Sequence, residues 1–290
     1  MSMLRKLAVL ALAVAALPAA AADWSDNQFY ITWGPSYREP GINKGPSDPK
    51  TGVDIAKTIL GFTTVSGDKL GSTFMNAELL ISEKKDGAMY LGSDPKAVQG
   101  AAEVYIVYRR SWSLNKITGS KTFSFTGVRD VNVDMGIDLN TKNTAFASEK
   151  VMPIVGVALA FDVPGFWDLG IYVNKEWTHN GIVNKDVEFD VTPMVATSWG
   201  IPLGGFGLSF NGFGSVNMPK GKDGFGNKTK TEILVQPKIT YAIGNIWGSP
   251  KAGWDVSVGY QYWNNKFGED ASKDGGSVAS TVFGQLAYHL

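Results

Sequence analysis

The stretch Asp130-Val131-Asn132-Val133-Asp134-Met135-Gly136-Ile137-Asp138-Leu139 decides how this chain folds. Its odd positions are apolar, and its even positions are acidic, amide or glycine. Successive side chains of an extended strand leave by opposite faces, so this segment has one oily and one polar face. The same period recurs in Ala102-Val104-Ile106-Tyr108, interleaved with Glu103, Tyr105, Val107 and Arg109. It recurs in Leu169-Ile171-Val173, interleaved with Gly170, Tyr172, Asn174 and, beyond them, Glu176. Ile233-Val235-Pro237-Ile239-Tyr241 and Trp254-Val256-Val258-Tyr260-Tyr262 repeat it further on. One such segment suits a soluble sheet equally well. Several of about 9–11 residues reach the length that crosses a bilayer at a tilt, beyond the five or six usual in globular sheets.

Working outward, strand centres fall near Ile31, Leu60, Ala77, Tyr105, Val133, Val155, Ile171, Val191, Leu208, Val235, Val258 and Leu286. An even number brings both termini to one side. Connections after odd-numbered strands are charged or polar, as in Arg38 to Gly52, Glu83 to Lys96, Pro219 to Lys230 and Asn264 to Gly276. Those after even-numbered strands are often aromatic with Pro or Gly, as in Phe161 to Trp167, Trp199 to Gly205 and Ile246 to Pro250. Polar outer loops alternating with tight inner turns is the layout of a transmembrane barrel. The fold expected is all-β: a closed antiparallel barrel of about twelve strands with periplasmic termini. Trp167, Trp199, Trp247 and Trp254 are then expected in the inner aromatic girdle, where amphipathic rings suit the headgroup region.

The beginning of the chain fits export. Arg5 and Lys6 precede an apolar run from Leu7 to Leu17, followed by Pro18 and the alanines 19–22. This three-part layout predicts a signal peptide over residues 1–22, cleaved to leave one barrel domain over 23–290. The final strand alternates through Val278, Ser280, Val282, Gly284, Leu286, Tyr288 and Leu290. It looks like the assembly signal of outer-membrane proteins, which places the barrel assembly machinery among the expected partners, beside the lipid bilayer. Most proteins of that class end in Phe or Trp, and Leu290 departs from this.

Composition narrows the chemistry. There are no cysteines, which removes thiolate nucleophiles, thiolate metal sites and disulfides. The 27 basic and 27 acidic residues balance to +0, leaving no electrostatic footprint for nucleic acid. Only His179 and His289 are present, too few and too far apart for a metal motif. A lipid-acting serine site would need Ser148 beside His179, a thin basis. No catalytic residue, metal or cofactor is expected, and the chain is read as a non-enzyme.

The informative residues are the ionisable and aromatic side chains on the inward parity. The solute-lining candidates are Tyr30, Arg38, Phe74, Glu78, Glu103, Tyr105, Arg109, Tyr172, Glu176, Lys238 and Trp263. Polar groups are ordinary filling for a barrel interior, so a structural role is the first reading of each. In combination, aromatic faces stack flat rings while neighbouring charged groups hydrogen-bond their edges. A flat polar solute such as a nucleoside suits that mixture, and a sugar suits it nearly as well. A plugged adhesive barrel is the alternative.

The segments Asp54-Ile55-Ala56-Lys57, Gly136-Ile137-Asp138-Leu139-Asn140-Thr141-Lys142 and Phe161-Asp162-Val163-Pro164-Gly165-Phe166, with the layout of the whole chain, resemble the Tsx-type family of nucleoside-specific channel-forming outer-membrane proteins. The resemblance implies a narrow, monomeric, twelve-stranded channel in a Gram-negative outer membrane that passes nucleosides and deoxynucleosides passively. Some members also serve as phage receptors through their outer loops. The family's nucleoside-contacting residues are not matched here position by position.

Overall fold

A computed structural model describes residues 22–87, 100–146, 148–245 and 253–290. The expected signal peptide up to residue 21, the connection around residues 88–99 and the one holding Trp247 lie outside the described residues.

Twelve strands close a barrel. In chain order they are β1 (Trp24–Tyr37), β2 (Ile55–Gly67), β3 (Gly71–Ser82), β4 (Ala101–Ser113), β5 (Val128–Lys142), β6 (Glu149–Phe161) and β7 (Phe166–Asn174). A small hairpin, β8 (Trp177–Asn180) and β9 (Lys185–Glu188), interrupts them. The wall resumes with β10 (Thr192–Pro202), β11 (Leu208–Asn217), β12 (Glu232–Ala242), β13 (Trp254–Asn264) and β14 (Val278–His289). Each wall strand pairs antiparallel with its neighbour, β7 with β10 across the hairpin, and β1 with β14 to close the ring. Closure leaves no unpaired edge among these strands. The hairpin touches the wall through Val151 and Trp177 on β6 and β8.

The parity read from the sequence sets the two faces. On β14, Ala279, Thr281, Phe283, Gln285 and Ala287 are buried, while Ser280, Val282, Gly284, Leu286 and Tyr288 are exposed. Ile31, Leu60, Val155, Ile171 and Val258 continue the exposed apolar set. Register then gathers aromatics into a belt near the terminal end. Phe62, Phe29, Tyr288 and Trp254 lie side by side on β2, β1, β14 and β13. Phe161 and Trp167 pack at 4.8 Å between ring centres, and Trp254 and Tyr288 at the same distance. A broad exposed apolar surface of this kind is rare on a protein that lives in water.

Three local features differ from the sequence reading. Val191 precedes the eighth wall strand and Leu208 opens the ninth, so both expected centres sit at strand ends. Gly200 and Pro202 read as part of a turn, yet the strand runs through them, Gly200 pairing with both β7 and β11 and Pro202 with β11. Trp199 accordingly lies within β10 opposite Gly212, not in a turn. The connection after β4 is not tight: it holds α1 (Leu114–Thr118), capped by the Ser113 side chain accepting from Lys116 N. The turn after β6 does match, with Gly165 at φ +77, a conformation glycine adopts without strain.

Candidate functional site in the barrel lumen

Side chains on the inner face bond across strands instead of along them. Tyr30 on β1 donates through Oη to Glu78 at 2.6 Å and lies 2.8 Å from the Asn76 side chain, both on β3. It passes over Gly61 of β2, where a Cβ would stand 1.9 Å from the ring. Tyr172 on β7 reaches Asp134 on β5 at 2.9 Å, passing Gly156 in the same way. Lys238 on β12 donates to Gln285 on β14 at 2.6 Å, and Gln285 donates on to Thr32 of β1 at 2.9 Å. Inward glycines thus let neighbouring large side chains lie flat against the wall and reach the second strand over.

A polar track runs along one wall. Arg109 on β4 pairs with Asp138 on β5 at 2.6 Å. Tyr105, four residues earlier on the same face, approaches Asp138 at 3.3 Å and accepts from Lys150 Nζ at 3.0 Å. Glu103 accepts from the Asn140 side chain at 2.5 Å. On the opposite wall, Trp263 of β13 donates from its indole to Glu232 of β12 at 2.7 Å. Beyond the strand ends, Glu176 pairs with Lys220 at 2.6 Å. Burial of Glu176 opposes ionisation, but the Lys220 and Lys150 ammonium groups prevail and hold its carboxyl below the usual range.

Most sequence candidates therefore line this interior: Tyr30, Glu78, Glu103, Tyr105, Arg109, Tyr172, Lys238 and Trp263 take part in the bonds above. Phe74 shares their face opposite Arg109 and is more exposed. Glu176 sits past the end of β7, on the connection to the hairpin. Arg38 departs from the pattern. The register breaks between Gly34 and Tyr37, so Tyr37 takes the buried side, and Arg38 bonds the half-exposed Asp54 at 2.7 Å beyond the strand.

Sequence reading passed over a second set of groups at the loop end, namely Glu39, Lys57, Asp86, Lys142 and Lys266. These are buried and mutually paired. Lys57 and Lys142 shared the inward parity and could have been found by it. Glu39 and Lys266 lie on connections, where parity has no meaning. Lys150, Met152, Asn174, Glu176, Thr192, Asn217, Lys220 and Glu232 line a small cavity of about 10 Å³, room for a single water. A larger groove of about 710 Å³ lies outside the barrel between the hairpin and the β11–β12 connection.

The two histidines have local partners. His179 on the hairpin bonds Asp186 at 2.7 Å, while Ser148 donates to Asn140. His289 bridges Asp26 and Asp255 at 2.8 and 3.1 Å, tying β14 to both neighbours.

Glu269, on the β13–β14 connection, carries a pH expectation. Burial and the nearby carboxylates of Asp223 and Asp274 push its carboxyl up to about 7, with Lys220 opposing. The unfolded side chain releases its proton near 4.5. Its stabilising contribution is thus complete below pH 4.5 and is lost as pH rises through about 7. Over that window wild type is expected to lose stability relative to Glu269→Gln in parallel urea titrations. A constant difference between the two would contradict the assignment.

Together these features define a class: a closed, twelve-stranded antiparallel barrel, apolar outside and polar inside. Compared with family models and with curated proteins, the sequence matches none. Among solved structures, the translocator domain of the autotransporter NalP from Neisseria meningitidis is similar at TM-score 0.44 and 9% identity, over 99% of this chain and 95% of that one. A bacterial polysaccharide outer membrane secretin aligns at 0.38 and 8%, over 93% and 99%. The outer membrane protein OpdK from Pseudomonas aeruginosa aligns at 0.25 and 10%, over 93% and 99%.

Proposed function

We propose that this protein is a monomeric bacterial outer-membrane channel that passes small polar solutes passively, nucleosides and deoxynucleosides first among them. The observation that carries this reading is the pairing of an apolar, aromatic-belted exterior with an interior of aromatic rings set among charged and amide groups. Lipid suits the first surface, and a flat, many-handed polar solute suits the second. Twelve strands fall between the eight that side chains fill and the sixteen or more that enclose a wide channel. The resemblance to Tsx-type channels points to the same cargo.

Liposome swelling tests it. Vesicles carrying the refolded protein are expected to admit nucleosides faster than sugars of comparable size, and equal rates would remove the selectivity claim. The Arg109–Asp138 pair refines the test. Losing Arg109 alone leaves Asp138 buried without its partner, so Arg109→Ala is expected to cost about 3 kcal/mol. The neutral pair Arg109→Gln with Asp138→Asn removes both charges together. It is expected to assemble and to change the nucleoside-to-sugar ratio, because lumen substitutions tune selectivity. An unchanged ratio would take this pair out of the solute path.

A second reading is favoured by one observation. Many interior side chains bond across strands, as Tyr30 to Glu78, Tyr172 to Asp134 and Lys238 to Gln285 do, as in a plugged barrel with an adhesive or structural role. Vesicles that admit no solute in any form of the protein would favour it.

A further inference from the structure

The β1–β2 and β13–β14 connections meet over the loop-end mouth. Gly41 N and the Asn43 side chain donate to the Asp274 carboxylate at 2.8 and 3.0 Å, and Gly275 N donates to Pro49 O at 2.9 Å. Beneath them the Glu39 carboxylate gathers three lysines. Lys57 of β2 donates to it, Lys266 lies at 2.9 Å and Lys142 of β5 at 3.4 Å. Lys142 also holds Asp86 at 2.9 Å. Every one of these side chains keeps a tenth or less of its surface exposed.

Topology gives the cluster its meaning. Lys266 follows β13 and Lys142 ends β5, and six of the twelve strand intervals separate β13 from β5. At roughly 4.8 Å per interval, half the circumference lies between their strands along the wall, yet both ammonium groups reach one carboxylate. Glu39 therefore lies inside the mouth, joining opposed walls. Burial opposes its ionisation, but Lys142, Lys266 and Lys57 hold its carboxyl well below the usual range. Lys266 is boxed in further by the Trp263 and Phe267 rings, 4.4 and 5.1 Å away. Neighbouring connections close the rim: Lys230 N donates to Gly268 O and Asn265 to Thr231 O, both at 2.8 Å.

We propose that the β1–β2 and β13–β14 connections form a gate over the lumen, latched by Glu39 and opened when they part from each other. This rests on the channel reading. Mutual pairing balances most of the buried charge in the closed state, Asp86 being held by ion-pair proximity to Lys142 and Lys57 alone. Removing the Glu39 charge leaves three ammonium groups facing the single Asp86 carboxylate, 2.9 Å from Lys142 and 3.6 Å from Lys57, and Lys266 without an ion-pair partner, so surplus repulsion drives the connections apart.

Single-channel recording in planar bilayers tests the latch. Glu39→Gln is expected to raise the open fraction severalfold. The chain has no cysteine, so Asn43→Cys with Asp274→Cys places a lone pair where two loop side chains already touch, away from the latch. Added to Glu39→Gln, that pair is expected to return the channel to the closed level when oxidised and to release it on reduction. A Glu39→Gln protein that migrates as a folded barrel yet opens no more than wild type would overturn the gate. So would an open fraction indifferent to oxidation of the pair. Should Glu39→Gln fail to assemble, the cysteine pair with Glu39 intact decides: oxidation must lower the open fraction and reduction restore it. Absence of conductance from every folded variant would instead overturn the channel reading itself.

Discussion

Val258→Lys is expected to destabilise the barrel by about 2–4 kcal/mol in a bilayer, while Val191→Lys is expected to cost about 1 kcal/mol or less. Both valines are exposed to a similar degree, 62% and 65%. Position alone separates them. Val258 lies mid-strand on the outer face of β13, and Val191 lies just outside β10 at the loop end. In water two such substitutions would each stay within about 0.5 kcal/mol. A large gap therefore reports hydrocarbon around Val258 and headgroups or water around Val191. Urea titrations of both variants in lipid vesicles measure it, and equal small costs would argue for a soluble barrel.

Gly61→Ala is expected to cost about 3–5 kcal/mol, through the Tyr30 side chain and not through the backbone. A Cβ at this position would stand 1.9 Å from Tyr30 Cζ and 2.3 Å from Cε2. Overpacking of this kind costs about 1–3 kcal/mol on its own. Moving the ring away also breaks the bond from Tyr30 to Glu78, adding about 1–3 kcal/mol for a carboxyl group left without its donor, while Asn76 keeps its bond from Thr63. The two terms share one cause, so they are coupled. Tyr30→Ala with Gly61→Ala is therefore expected to be more stable than Gly61→Ala alone. If the double variant is no better, the methyl acts on the backbone of β2 and not through Tyr30.

The wall was legible in the sequence because a strand has period two and a barrel needs opposite chemistry on its faces. Val131 to Leu139 and Val278 to Tyr288 carried parity without interruption, and both strands alternate accordingly, except that Leu139 is buried against Ile106 instead of exposed. β10 was harder. Its outward set includes Pro193 and Thr197, its ends are Thr192 and Pro202, and local propensity argued for a turn. Pairing with β7 and β11 overrode that propensity. Arg38 escaped because one irregularity at Gly34 to Tyr37 reverses every later assignment on the strand.

The lumen was legible as a face but not as a network. Parity located Arg109, Tyr105 and Glu103, yet their partners Asp138, Lys150 and Asn140 stand 29, 45 and 37 positions away. Such pairings follow from register between strands, which no single segment encodes. The Glu39 cluster was further still from view. It joins three connections, β2 and β5, and connection residues follow no alternation. Where the fold depends on local period it could be read directly, and where it depends on long-range register it could not.

Planar-bilayer conductance of the refolded native protein, titrated with nucleosides and separately with sugars, tests the central claim most directly. The account predicts discrete conductance steps and a concentration-dependent block by nucleosides that sugars of similar size do not reproduce. A folded barrel inserted in the bilayer that never conducts would contradict it.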